Sequence, residues 1–198
     1  LLMPIKQFNA SYLVNEDRIL LRFNTTEQAE YRLWFTRRVT LFILVATSHL
    51  LTKKLEKTHS IDAAKALNEF SKQSILEQAQ QQKDVSNDFQ TGISFPIGPD
   101  PLLVIDVTCS LVESGEKLVY LERSKEAEKE EVFSIDLLLS DGANLNLKLP
   151  ENLMQGVVVL LDQIRVSAGW GEATLVEKNT QKNDENVEIK SAKNISIH

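Results

Sequence analysis

The chain predicts an α+β fold, with an antiparallel sheet of about 7–8 strands arranged in two ββα-type units. Three observations predict it. Short stretches place apolar residues at alternate positions, as half-buried strands do. Two longer runs carry a wide apolar stripe at helical spacing. One pattern also recurs 114 positions apart: Tyr31-Arg-Leu-Trp-Phe-Thr-Arg-Arg-Val39 and Leu145-Asn-Leu-Lys-Leu-Pro-Glu-Asn-Leu153. In each copy three alternating apolar residues lead to a helix-starting residue, Thr36 or Pro150. Strand, turn, strand and helix are thus used twice, and the expected relation between the units is an approximate two-fold axis.

The elements follow in order. Phe8, Ala10, Tyr12 and Val14 alternate, and Asn15-Glu-Asp17 turns the chain. Ile19, Leu21 and Phe23 alternate again, and Asn24-Thr25-Thr26 leads into Tyr31, Leu33 and Phe35. Helix one runs from about Arg37 to Lys57 with Thr36 as N-cap. Its stripe of Leu41, Leu44, Ser48, Leu51 and Leu55 is broadened by Phe42, Val45, Ala46, His49 and Leu50, so it is expected between layers. Helix two, over 60–84, is capped by Ser60 and has a thin stripe, which makes it peripheral.

A meander follows. Its expected strands are Phe89–Ile97, Leu103–Leu111, Leu118–Glu122, Phe133–Leu139 and Leu145–Leu149. Glu113-Ser-Gly-Glu116 and Asp141-Gly142 read as hairpin turns. Pro150 suits the first turn of helix three, whose stripe is Leu153, Val157, Leu160, Leu161 and Ile164. Gly169-Trp170-Gly171 ends the core. Residues 1–171 are therefore expected to form a single α+β domain: an N-terminal unit over 5–57, the peripheral helix, then meander and helix over 88–171. Residues 172–198 are polar and read as a flexible tail, with Val187, Ile189, Ile195 and Ile197 as the alternative of an added edge strand.

Composition narrows the function classes. An apolar fraction of 42% and a charged fraction of 25% fit a soluble globular protein. The single cysteine, Cys109, excludes an internal disulfide and a multi-cysteine zinc site, which fits a reducing, cytoplasmic setting. Val39–Leu51 is shorter than the roughly 20 apolar residues of a membrane span, so no membrane insertion is expected. The net charge of −6 is unevenly spread: residues 1–57 carry +4 and the rest carries −10.

No catalytic, metal or cofactor motif emerges. With 7 glycines, no phosphate loop or dinucleotide fingerprint can be assembled. His49, His59 and His198 have no metal-ligand spacing, and Cys109 falls on an apolar strand face. The candidate binding residues are Arg32, Trp34, Arg37 and Arg38. Arg37 and Arg38 sit in the first turn of helix one, where the helix dipole disfavours cations. Either a bound anion offsets this, with the guanidinium forks and free N–H groups taking phosphate oxygens, or internal acids such as Glu27 and Glu30 do. Arg32 and Trp34 share the outward face of the preceding strand.

The Glu30–Arg38 stretch, EYRLWFTRR, resembles a segment of small uncharacterised bacterial proteins with no known activity. Those proteins also carry a leucine–proline junction similar to Leu149-Pro150-Glu-Asn-Leu153. The ββα layout is loosely similar to that of the PUR and Whirly single-strand nucleic-acid binders, although this chain lacks a basic sheet face over its meander. The expectation is a non-enzymatic cytoplasmic interaction or assembly protein, acting on a protein partner or by self-association. The alternative is a nucleic-acid, nucleotide or anion-binding module that uses Arg32, Trp34, Arg37 and Arg38.

Overall fold

A computed structural model describes residues 4–81, 88–113, 131–175, 188–190 and 195–197. Among the described residues the fold is α+β, with a mostly antiparallel sheet and three helices. Strands β1 (Ile5–Leu13), β2 (Arg18–Thr25) and β3 (Glu30–Thr36) form an antiparallel meander. Helices α1 (Arg37–Glu56) and α2 (Ile61–Gln81) then cross over. The second meander is β4 (Leu102–Glu113), β5 (Glu131–Leu139) and β6 (Asn144–Leu149), followed by α3 (Glu151–Ser167). Short strands β7 (Ala173–Leu175), β8 (Glu188–Lys190) and β9 (Ile195–Ile197) complete the described chain.

The six long strands lie in sequence order, β1-β2-β3-β4-β5-β6. β3 and β4 are parallel and meet only at Leu33↔Leu102 and Trp34↔Leu103. This arrangement corrects the expected two-fold axis. A two-fold in or normal to the sheet would reverse the strand order of the second half, whereas here both halves run in the same order and direction.

One sheet face carries the core. Ile19, Leu21, Phe23, Leu33, Phe35, Leu137, Leu139 and Leu149 are buried there beneath α1 and α3. Phe23 stacks on Tyr31 with ring centroids 4.8 Å apart. α1 is buried over much of its girth, through Val39, Leu41, Phe42, Ile43, Ala46, Leu50 and Leu51. Its N-cap is Thr36, whose hydroxyl accepts from Val39 N at 3.3 Å. α2 is peripheral: it packs on α1 and α3, and among its described side chains it buries only Ala64 and Asn68. Among the described residues, no helix is long and apolar enough to cross a membrane.

The structure differs from the sequence reading in four places. Phe89–Ile97 is not a strand; it makes one parallel bridge, Ala29↔Ser94. Gly92 there lies so close to the turn after β2 that a Cβ would sit 2.7 Å from the Gln28 carbonyl oxygen. Pro96, Pro99 and Pro101 remove ladder donors just beyond it. The Asp141-Gly142 turn spans three residues, with Gly142 at φ 87 and Leu139 N bonded to the Ala143 carbonyl. Pro150 is the N-cap of α3 rather than its first helical residue.

The fourth difference is in the expected flexible tail, where three short strands form, two of them at Ile189 and at Ile195–Ile197, the positions of the edge-strand alternative. β8 pairs with β4 at Cys109↔Ile189, and β7 pairs with β9. The reason lies in β4, which extends far past its short contact with β3. Its backbone groups at Thr108–Ser110 are left open on that edge, and β8 takes them. The expected Leu118–Glu122 strand and the turn and charged loop around it, over 114–130, lie outside the described residues.

Candidate functional site

The sheet face opposite the helices is the surface to which Arg32 and Trp34 belong, while Arg37 and Arg38 begin α1. Parity puts Arg18, Leu20, Arg22 and Asn24 of β2 there, beside Thr36, Trp34, Arg32 and Glu30 of β3. In this register Leu20 pairs with Trp34 and Arg22 with Arg32.

The segment 88–99 crosses the lower part of this face as a strap. Glu30 is fully buried beneath it. Its carboxylate accepts from Arg32 Nε at 2.8 Å and from Gly92 N at 2.8 Å, and Arg22 Nη1 stands 3.9 Å away. Phe89 and Phe95 of the strap lie against the two guanidinium groups, with ring centroids 4.4 Å from Arg22 and 4.6 Å from Arg32. Arg32 Nη1 also donates to the Pro99 carbonyl at 3.0 Å. One buried carboxylate thus gathers two arginines and a backbone N–H, and two rings cover them.

The four candidate residues are held in different ways. Arg32 belongs to the Glu30 cluster. Arg38 donates to the Ile105 carbonyl. Ile105 is the extra residue of a bulge in β4, so this bond serves a carbonyl that the ladder leaves over. Arg37 turns towards the β1–β2 turn, where its charge helps hold the Asp17 carboxyl below the usual range. Among the described residues its buried Nε finds no hydrogen-bond partner. Trp34 stays on the open sheet face.

Trp34 is not alone there. Leu20 flanks it on β2 and Leu103 on β4, and all three are half-buried. Leu138 of β5 lies one step further along, opposite Asp106, and Ile105 at the bulge is 41% exposed. An apolar stripe therefore crosses four strands. Arg18, Asp106 and Asp136 all lie beyond it in the direction in which β3 and β4 run, Arg18 on β2 and the two acids on β4 and β5. The sequence showed Trp34 as outward but not this row, because the seam between β3 and β4 joins residues about 70 positions apart.

A second cluster ties the β1–β2 turn to the end of α3. Tyr12 Oη and Trp170 Nε1 both donate to Asp17 Oδ1 at 2.7 Å, and the two rings meet edge to face at 5.5 Å. The Tyr12 bond, then the Trp170 bond, then Arg37 lower the Asp17 pKa from its ordinary value of 3.8. The same bond is the main reason the Tyr12 hydroxyl titrates above its ordinary 10.0. A lowered carboxyl contributes stability that is present above its unfolded value and is lost as pH falls through the folded one. The stability gap between the parent and Asp17→Asn should therefore narrow below about pH 4. Urea melts across the acid range test this, and a gap constant with pH would contradict it.

Cys109 is buried on the core face of β4, and burial pushes its thiol far up, which makes it unreactive. Among the described residues, no three His, Cys, Asp or Glu side chains are grouped as metal ligands. Compared with protein families, with curated proteins and with solved structures, the chain matches none.

Proposed function

We propose that this chain is a non-catalytic assembly protein that docks a second copy of itself through its open sheet face. The observation that carries this is the Leu20–Trp34–Leu103–Leu138 stripe with Ile105 beside it. A half-buried apolar row with one exposed member, rimmed by charge, fits an interaction surface. The charge distribution favours a self-complementary occupant. Arg18 lies on the β2 side, and Asp106 and Asp136 lie on the β4–β5 side. A two-fold axis along the strands, passing through the stripe, would lay each basic flank on the partner's acidic one. Lys148 on β6 lies beyond the acids, at the rim. Face-to-face sheets pack in this way at about 10 Å spacing.

Sedimentation velocity over a range of concentrations tests the reading. A dimer is expected, weakened by Arg18→Asp and lost in Trp34→Glu. A strictly monomeric parent would overturn it, as would a dimer indifferent to Trp34→Glu. The nucleic-acid reading is less well supported, because Arg32 is already engaged by Glu30, the Pro99 carbonyl and Phe95. A monomer that instead binds single-stranded oligonucleotides with a steep salt dependence, lost on replacing Arg37 and Arg38, would favour it.

We also infer that the two hairpin–helix segments are copies of one unit. The pairs Ile19↔Phe35, Leu21↔Leu33 and Phe23↔Tyr31 correspond to Phe133↔Leu149, Ile135↔Leu147 and Leu137↔Leu145, all at the one offset of 114. The N-caps Thr36 and Pro150 keep that offset, with ψ 162 and 158. Each hairpin adds a strand before it, β1 or β4, which extends the unit to βββα.

A further inference from the structure

A cleft of about 410 Å³ lies on the far side of the helices from the sheet, where α1, α2 and α3 converge. That size falls in the range of small-molecule sites, about 300–1,000 Å³. Its origin is in the sequence of α2. Near its start α2 packs closely, with Ala64 fully buried and Asn68 Nδ2 bonded to the Ser48 carbonyl and to the hydroxyls of Ser48 and Thr52 at 3.2–3.3 Å. One turn on, the residues that α2 presents to the cleft are Glu69, Lys72, Gln73 and Leu76. Opposite them, α1 and α3 supply Leu41, Leu44, Val45, Val158 and Val159. A largely polar helix face thus stands over an apolar floor, and the two do not fill each other.

The charges around the cleft are sorted by depth. The cations are the more buried: the side chain of Lys72 is 29% exposed and that of Arg165 is 15% exposed. Their acidic partners lie further out, Glu69 at 72% and Asp162 at 47%, and a third acid, the exposed Glu172, also borders the cleft. Lys72 Nζ also reaches across to Ser48 Oγ on α1 at 3.3 Å. Arg165 is braced by Asp162 at 2.6 Å and by the Trp170 carbonyl at 3.2 Å. Two cations from opposite walls therefore border one apolar floor.

We propose that this cleft binds an anionic amphiphile of the fatty-acid class. The acyl chain lies on Leu41, Leu44, Val45, Val158 and Val159. The carboxylate takes the Lys72 ammonium and the Arg165 guanidinium, while the exposed Glu69 and Asp162 turn to water.

The test is binding of dodecanoate, kept below its micellar concentration, read by calorimetry and by displacement of a fluorescent fatty acid. Saturable one-to-one binding is expected, with dodecylamine and dodecanol at least about tenfold weaker, the scale of one charge-assisted hydrogen bond. Lys72→Glu should weaken dodecanoate by at least about the same factor. Leu44→Trp should abolish binding by filling the cleft, with Val45→Phe in its place should that variant fail to fold. Folding of each variant is checked by circular dichroism and melting. Absence of saturable binding overturns the proposal. So does amine binding as tight as carboxylate binding, or dodecanoate binding that neither Lys72→Glu nor the filled cleft weakens.

Discussion

Glu30→Ala is expected to destabilise the protein by about 3 kcal/mol, the lower end of the cost of removing one partner from a buried ion pair. The carboxylate is fully buried and joins Arg22, Arg32 and the N–H of Gly92. Alanine would remove the counter-charge of two guanidinium groups, which keep only neutral acceptors, Asn9 Oδ1 and the Pro99 carbonyl, and would leave Gly92 N without its acceptor. The low end applies because both arginines remain partly exposed, so water can reach them. The damage should concentrate in the strap. No side chain fits at Gly92, where a Cβ would sit 2.7 Å from both the Gln28 carbonyl oxygen and Glu30 Cβ. Hydrogen exchange should therefore rise first at Gly92 and at the Glu30 N–H, which donates to the Ser94 carbonyl at 2.8 Å. A loss below about 1 kcal/mol in a denaturant melt would show that the cluster contributes no more than a surface ion pair.

What the sequence showed and what it hid divide along one physical line. Features set within a few residues were legible. Thr36 caps α1 because a hydroxyl at that position meets the N–H three residues on, and the alternation of Ile19, Leu21 and Phe23 sets which face is buried. Features set by distant chain were not legible. Phe89, Ile93 and Phe95 alternate like a strand, yet Phe89 and Phe95 lie on arginines of β2 and β3, and Ile93 is exposed. Glu30 has outward parity, and it is buried by a strap whose Gly92, 62 positions later, donates to its carboxylate. The Leu20–Trp34–Leu103 row needs the parallel seam between β3 and β4, which no local pattern specifies. The helix cleft needs three helices to converge, and its cations are individually ordinary surface residues in the sequence. The strand at Glu188–Lys190 forms because β4 leaves part of its edge open, a fact about β3 rather than about the polar segment itself.

Two substitutions two positions apart on α1 should separate its core side from its cleft side. Phe42 is fully buried in the cluster between α1 and the sheet. Its removal loses both transfer energy and packing around a large void, so Phe42→Ala is expected to cost about 3–5 kcal/mol. Leu44 reads as equally central in the sequence, where it falls on the stripe with Leu41 and Leu51. In the fold it is half-buried and lines the cleft beneath α2. Its truncation enlarges a space that already exists instead of opening a sealed void, and part of its surface already meets solvent. Leu44→Ala should therefore cost less than about 2 kcal/mol, below the usual range for a buried leucine. Chemical denaturation of both variants, with equal slopes to confirm that the unfolded states match, gives the comparison. Equal losses would mean that the cleft closes tightly around Leu44 in solution, which would also remove the space assigned to an acyl chain. A Phe42→Ala loss as small as that expected for Leu44 would mean that the α1–sheet interface can collapse onto the void, which the close packing of the core cluster that holds Phe42 opposes.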